Sequence, residues 1–282
     1  MENTPERHLK VWEAVLRENI FVLCKTQMAK SITRRTLRGF RQIKVNTRYY
    51  EDLVNQISNK TSKFVSQMKQ GKNYWKANED NDMKFTAIVG NPPYQQVVAQ
   101  KDSTNGQKVS VSIFHHFQNV SDKLGRYTSL IYPGARWIHR SGKGLEQFGL
   151  SQINDPHLSL LKFYPVSTDI FKEVGIADGL AIVLKDTLKT DMGFKYVYSK
   201  NGEETSVEAD NPGEELFSLN PLDSDIAIAL NEAIDRYSCL HEAILPRSLF
   251  SIESDFVEKN PSLVREYNEG DSFDTNNEIK LF

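Results

Sequence analysis

Phe85-Thr86-Ala87-Ile88-Val89-Gly90-Asn91-Pro92-Pro93-Tyr94 is the stretch on which the reading of this sequence turns. Five uncharged residues run into Gly90, and after Asn91 two prolines forbid the continuation of a ladder or a helix. This is the pattern of a buried strand that stops abruptly. In an open α/β sheet, ligands gather at the carboxyl ends of the strands. The prolines fix φ and remove two donors, which leaves a stiff loop whose carbonyls no helix or ladder absorbs. Asn91 adds an acceptor oxygen, and Tyr94 adds a flat ring with a polar tip. A rigid pair of acceptors beside a stacking face suits a planar ligand bearing an NH₂ group.

Working outward, Tyr127–Tyr132 before Pro133, Leu158–Tyr164 before Pro165, and Leu180–Leu184 read as three more buried strands. Val111–Phe117 and Gly144–Gln152 have helical spacing between them, and Phe194–Tyr198 alternates like an edge strand. Strands interleaved with helices predict an α/β sheet. Upstream, glycine is sparse, and the patchy apolar spacing at 14–16 and 20–23 predicts helix. From Lys25 to Arg48 stand eight basic residues and no acidic one, a run that could grip phosphates or simply be a solvated helix face. Residues 201–215 read as an acidic surface loop and 223–237 as a helix; no fold is assigned to the acidic tail, 251–282. The expected organisation is a helical, basic segment over 1–82, a catalytic core over 83–200 and a C-terminal segment over 201–282.

The composition narrows the class. The 282 residues carry 35 basic and 37 acidic side chains, for a net charge of -2. No stretch approaches the roughly 18–20 apolar residues of a membrane span, and Met1–Lys10 is no secretory signal, so no membrane partner is expected. Two lone cysteines, Cys24 and Cys239, make neither a disulfide framework nor a metal cluster, and a cytoplasmic location suits them. His115 and His116, adjacent on a helix, point in different directions and make a poor metal site.

The loop Asn91-Pro92-Pro93-Tyr94 resembles the catalytic loop of the amino-group DNA methyltransferases, Asn/Asp-Pro-Pro-Tyr/Phe. A second block narrows the resemblance: Tyr132-Pro133-Gly134-Ala135-Arg136-Trp137, Gly142-Lys143-Gly144-Leu145, Ser167–Phe171 and Asp178-Gly179-Leu180. In this order they look like the adenine-specific N6 methyltransferases of type II restriction–modification systems, well over 84–190 and more loosely over 245–282. The resemblance implies a Rossmann-like, S-adenosylmethionine-dependent methyltransferase sheet with double-stranded DNA as partner. It implies that an everted adenine stacks on Tyr94 while the Asn91 side chain and the Pro92 carbonyl accept hydrogen bonds from its amine. Arg136, Arg140 and Lys143, beyond a strand end, would contact DNA.

Two departures from the family pattern stand out. Thr86 replaces the family's usual aspartate. More important, the glycine-rich cofactor loop expected upstream of the prolines is absent, since Gly39 and Gly71 stand alone in residues 1–84. Gly142-Lys143-Gly144 as a permuted cofactor loop fits less well, because Arg136–Arg140 intervenes and Gln147 stands where a third glycine belongs. The sheet is therefore expected to be incomplete, a partial chain that keeps the target-base half, with the cofactor-binding residues unknown and a second chain as a possible source of the missing half. Such a chain leaves an exposed sheet edge. An inactive DNA-binding remnant is the alternative, and a glutamine-directed protein methyltransferase is disfavoured by the long block after the loop.

Overall fold

A computed structural model describes residues 4–76, 82–99, 108–141, 144–215, 217–237 and 256–266, together with positions 268, 271, 272 and 274. Gly142, Lys143, Cys239 and residues 245–255, all noted above, lie outside the described residues. The chain divides into two units, Met1–Ser224 and Asp225–Phe282.

The first unit begins with α1 (Pro5–Glu18), β1 (Phe21–Cys24), α2 (Gln27–Arg38) and β2 (Asn46–Tyr49). The segment is mostly helical as expected, but residues 20–23 are a correction: Phe21–Cys24 is a strand, paired in parallel with β2. A four-residue apolar run cannot be told from a helix by periodicity, and the bulky Phe-Val-Leu sequence fits a pleated, half-buried surface. Next come α3 (Leu53–Asn59), α4 (Thr61–Met68) and a π turn at Gly71–Trp75. Leu53, Ile57, Phe64, Met68 and Trp75 bury one face of this segment in a common cluster with Met83 and Val120.

The main sheet has six strands in the order β10-β9-β7-β8-β6-β3. They are β3 (Phe85–Gly90), β6 (Gly125–Pro133), β7 (Leu158–Tyr164), β8 (Leu180–Asp186), β9 (Phe194–Lys200) and β10 (Glu203–Ala209). Between β3 and β6 lie a two-stranded ribbon, β4 (Gln95–Ala99) with β5 (Lys108–Ser112), and the helix α5 (Phe114–Leu124). β3 and β6 run parallel, β8 is antiparallel to both β6 and β7, and β7 is parallel to β9. The fold class is thus α/β with a mixed sheet, and the strands read at 127–132, 158–164 and 180–184 are where the sequence placed them.

Three expectations are corrected. Phe194–Tyr198 is an interior strand, because Glu203–Ala209, read as loop, pairs with it antiparallel and takes the edge. Helix does not span Val111–Phe117; β5 takes Val111 and Ser112, and α5 starts at Phe114. β3 is no buried central strand but the other sheet edge, with Thr86, Ala87, Val89 and Gly90 exposed. Val89 is 76% exposed, as a strand of central composition is when one neighbour is missing.

The core lies under β6–β9. Tyr132 and Trp137 are fully buried, with Phe114 stacked on Tyr132 at 4.8 Å between ring centroids. Trp137 sits on the short α6 (Ala135–Ile138), which packs against α7 (Glu146–Ile153). That packing needs Gly149, since a Cβ there would lie 2.0 Å from the Trp137 carbonyl oxygen. One charge is buried with the core. Lys185 on β8 donates to Asp155 Oδ2 at 2.6 Å and Asp122 Oδ2 at 3.0 Å. Asp122 Oδ1 also accepts from Gln118 at 2.7 Å and Thr128 at 2.9 Å, so α5, β6 and β8 are tied by one satisfied polar network.

The second unit contains most of α8 (Ser224–Tyr237), then α9 (Phe256–Lys259) and a 3-10 turn at Pro261–Leu263. Among the described residues, no helix is long and apolar enough to cross a membrane.

Candidate functional site

β3 and β6 are parallel and β7 shares their direction, so Gly90, Pro133 and Tyr164 end on one rim of the sheet. The loop Asn91–Tyr94 leaves that rim with no helix or strand of its own. Asn91 is exposed, Pro92 is buried, and Pro93 and Tyr94 are half-buried. The loop is pinned at its far end, where Ile113 N–H donates to the Tyr94 carbonyl at 3.0 Å. Ile113 and Phe114 are themselves buried, so the anchor is rigid. Among the described residues the Pro92 carbonyl accepts no hydrogen bond, as a proline-locked turn predicts.

Tyr94 does not stand open. Its ring packs against the core cluster, and its hydroxyl is buried without a hydrogen-bond partner. Burial pushes the phenol pKa up, and the Asn91 side chain pulls the other way, approaching without the alignment of a hydrogen bond. A buried unpaired hydroxyl costs about 1–3 kcal/mol. That cost offsets part of what the ring gains by packing against the core.

The rim carries a cavity of about 440 Å³, lined by Ala135, His139, Phe163, Pro165, Gly179 and Tyr198 among others. The Asn91–Tyr94 loop does not line it. Of the basic residues expected here, Arg136 is more than half exposed and pairs with Asp178 at 3.0 Å. Arg140 holds a left-handed backbone, φ 55°, and its guanidinium donates to the carbonyls of Glu214 at 2.7 Å and Glu215 at 2.8 Å. Those bonds bind the turn to the chain after β10, and of the two arginines it is Arg136 that faces solvent. Trp137, next to it, is core.

The upstream basic run is partly absorbed by the fold. The Arg48 guanidinium lies over the Tyr74 ring and donates to the Tyr74 carbonyl, and the Lys44 ammonium donates to the Lys76 carbonyl. Arg35 and Arg41 are exposed. The His115 and His116 rings lie 4.0 Å apart between centroids, tilted by 41°, just after the anchor of the loop in the chain. Burial, then the charge of His116, lower the His115 pKa to about 4. Among the described residues no group of three His, Cys, Asp or Glu side chains could hold a metal ion.

A nucleoside-bearing methyl donor would need a cradle at a strand end. After β1 come Lys25 and Thr26, with no glycine before Gly39. The first turn of α2 is closed on itself, Thr26 Oγ1 accepting from Ala29 N–H at 3.0 Å. Among the described residues no strand end turns through glycines into a helix with open N–H groups, so the described residues do not fit S-adenosylmethionine.

The sequence reading missed the β4–β5 ribbon that rises from Tyr94. Its signal was present: Val109-Ser110-Val111-Ser112 alternates, and Asn105-Gly106 is the strongest short-range mark of a hairpin.

The family model described as Eco57I restriction-modification methylase matches residues 18–171, more than half of the chain. Solved structures with likeness include a chain from a type I R-M system, at 14% identity and TM-score 0.44, covering 92% of this chain and 57% of that one. The EcoKI M protein of a type I restriction enzyme gives 12% identity and TM-score 0.39, over 65% of this chain and 36% of that one. The type I restriction-modification methyltransferase subunit from Streptococcus thermophilus gives 11% and 0.35, over 84% and 53%. The chain spans about half the length of these proteins or less. No curated protein matches it.

Proposed function

Because the chain belongs to the Eco57I restriction-modification methylase family, we propose that it takes part in DNA methylation as the half of an adenine N6-methyltransferase that holds the target base. The observation that supports this reading is the placement of Asn91-Pro92 at a sheet rim. Asn91 is exposed, and the Pro92 carbonyl has no internal partner among the described residues.

The chemistry follows from those two acceptors. An everted adenine brings its exocyclic NH₂ to the loop, at a cost of a few kcal/mol for leaving the stack. The Asn91 side-chain oxygen and the Pro92 carbonyl each accept one N–H. In free adenine the amine lone pair is delocalised into the ring. Two acceptors in fixed positions favour a more tetrahedral nitrogen, whose lone pair then points away from the ring. The loop catalyses by holding and by electrostatics, with no covalent intermediate on the protein. In this reading Tyr94 turns out of the core to stack on the base, and Pro93 keeps the turn from relaxing. Arg136 meets a flanking phosphate, and Arg140 steadies the turn that carries it.

The family implies S-adenosylmethionine as the methyl donor. No step is placed on this chain's own residues for holding it, because the strand ends do not fit it. The proposal therefore includes a second polypeptide that brings the donor, with the cytoplasm as the place of assembly and duplex DNA as substrate. The same misfit supports a second reading, a DNA-binding remnant without activity.

The two readings separate at the native locus. Genomic DNA is sequenced for modified bases in cells carrying either the parent allele or Asn91→Ala. N6-methyladenine at a recurring site that disappears in the variant supports the enzyme. Identical modification in both, or none in either, leaves only the remnant.

A further inference from the structure

We propose that the β4–β5 ribbon enters a groove of the DNA duplex beside the everted base and reads base edges there. The inference deepens the function proposed above and rests on it.

The ribbon stands apart from the body of the protein. β4 and β5 pair with each other, Gln95 with Ser112 through Ala99 with Lys108, and join neither other sheet. Gln95, Gln96, Val97, Ser110 and Val111 are exposed, Val97 at 62%. A lone two-stranded ribbon is marginally stable in water. This one is fastened at its root, where Ile113 N–H meets the Tyr94 carbonyl at 3.0 Å, and Ser110 donates to Gln95 Oε1 at 2.8 Å across the strands.

Its position says what it meets. The ribbon begins at the residue after Tyr94. A base seated at Asn91 stays covalently joined to its backbone, so the duplex it left lies one nucleotide away. The ribbon, which starts at the residue after Tyr94 and is exposed, is therefore within reach of that duplex. Five residues per strand at about 3.4 Å each reach roughly 17 Å. Two strands fit a major groove about 12 Å wide.

The side chains suit that occupant. The two strands hold no carboxylate and one cation, Lys108, so nothing repels a polyanion. The register puts Gln96 opposite Val111 on one face, and Gln95, Val97, Ser110 and Ser112 on the other. A glutamine amide pairs with the adenine edge, a serine hydroxyl pairs with either donor or acceptor, and a valine methyl meets the thymine methyl. The ribbon thus carries readers of base edges and no dedicated phosphate grip. Its substitutions should alter sequence preference as well as affinity.

The test uses the full chain and duplexes of randomised sequence, with binding followed by fluorescence anisotropy and bound sequences recovered. The parent is expected to bind duplex and to enrich a recurring sequence. Gln96→Ala with Val111→Ala is expected to lose roughly tenfold in affinity for the enriched sequence and to relax it at the positions touched. Gln96→Glu, a single exposed change that cannot disturb packing, is expected to lose at least as much. Leu188→Ser, on the exposed turn after β8, serves as control and leaves binding unchanged. Ribbon variants that bind and select like the parent overturn the inference and leave the proposed function standing. Equal loss on single-stranded and duplex pools also overturns it. A parent that binds no duplex refutes both.

Discussion

Lys185→Met removes the one cation of the buried network and keeps the length of the side chain. Lys185 is 2% exposed and bonded to two carboxylates, at 2.6 and 3.0 Å. Without it, Asp122 and Asp155 lose the cation they share, and Asp155 keeps only the His157 imidazole, 3.3 Å away, beside it. Removing one partner of a buried ion pair costs about 3–5 kcal/mol. Both carboxylates keep about a quarter of their side-chain surface in solvent and recover some hydration, so the lower end, about 3 kcal/mol, is expected. For a unit of this size that is on the order of 10 °C in melting temperature. The pH dependence supplies a second readout. In the parent, burial works to raise the Asp155 pKa, but the Lys185 ammonium outweighs it and holds the carboxyl below its usual range. A depressed carboxylate contributes stability above about pH 4 and loses it as pH falls through the folded value. In the variant burial is opposed only by His157, through its N–H bond and its charge, so the folded pKa rises, and protonation costs the folded state less than in the parent. The deficit relative to parent is therefore expected to shrink as pH falls from 7 toward 4. Urea unfolding followed by tryptophan fluorescence across that range measures it. A deficit under about 1 kcal/mol, or one independent of pH, refutes the reasoning. Asp155→Asn added to Lys185→Met should restore part of the loss.

Gly149→Ala forces a Cβ to within 2.0 Å of the Trp137 carbonyl and should cost about 1–3 kcal/mol by prising α6 from α7, read by urea unfolding. His115, with its pKa lowered to about 4, takes up a proton more readily in the unfolded chain. It thus contributes stability above its ordinary value of 6.5 that fades as pH falls toward 4, and His115→Gln should flatten that part of the stability profile. Arg136→Ala should weaken duplex binding and reduce its salt dependence by about one counter-ion.

Much of the fold was legible because the sequence is locally decisive where it is buried. Three apolar runs, two of them closed by Pro133 and Pro165, gave three strands, and the Pro-Pro corner gave the rim on which Asn91 stands. What stayed hidden depended on neighbours. Phe21–Cys24 is too short for periodicity to separate strand from helix. Phe194–Tyr198 looked like an edge only while Glu203–Ala209, acidic and lying on solvent, looked like a loop. β3 has the composition of a central strand, and nothing local says that its outer neighbour is missing. The inward turn of Tyr94 was equally unreadable, because it depends on a core assembled from α5, β6 and α7. In the site itself, residue types were legible and their pairing was not: Arg136 and Arg140 look alike in sequence, yet one is exposed and the other is bonded to two carbonyls.

The central claim is that Asn91 and Pro92 act as acceptors for an adenine amine. The initial rate of N6-methyladenine formation, measured on DNA with the assembled native complex, tests it through Asn91→Ala and Asn91→Asp. The alanine variant loses one fixed acceptor and is expected to fall by about a hundredfold or more, with duplex affinity kept. Aspartate keeps an acceptor oxygen at the same place and should retain a larger share of the rate. An alanine variant as fast as the parent, or an aspartate variant no better than alanine, contradicts the claim.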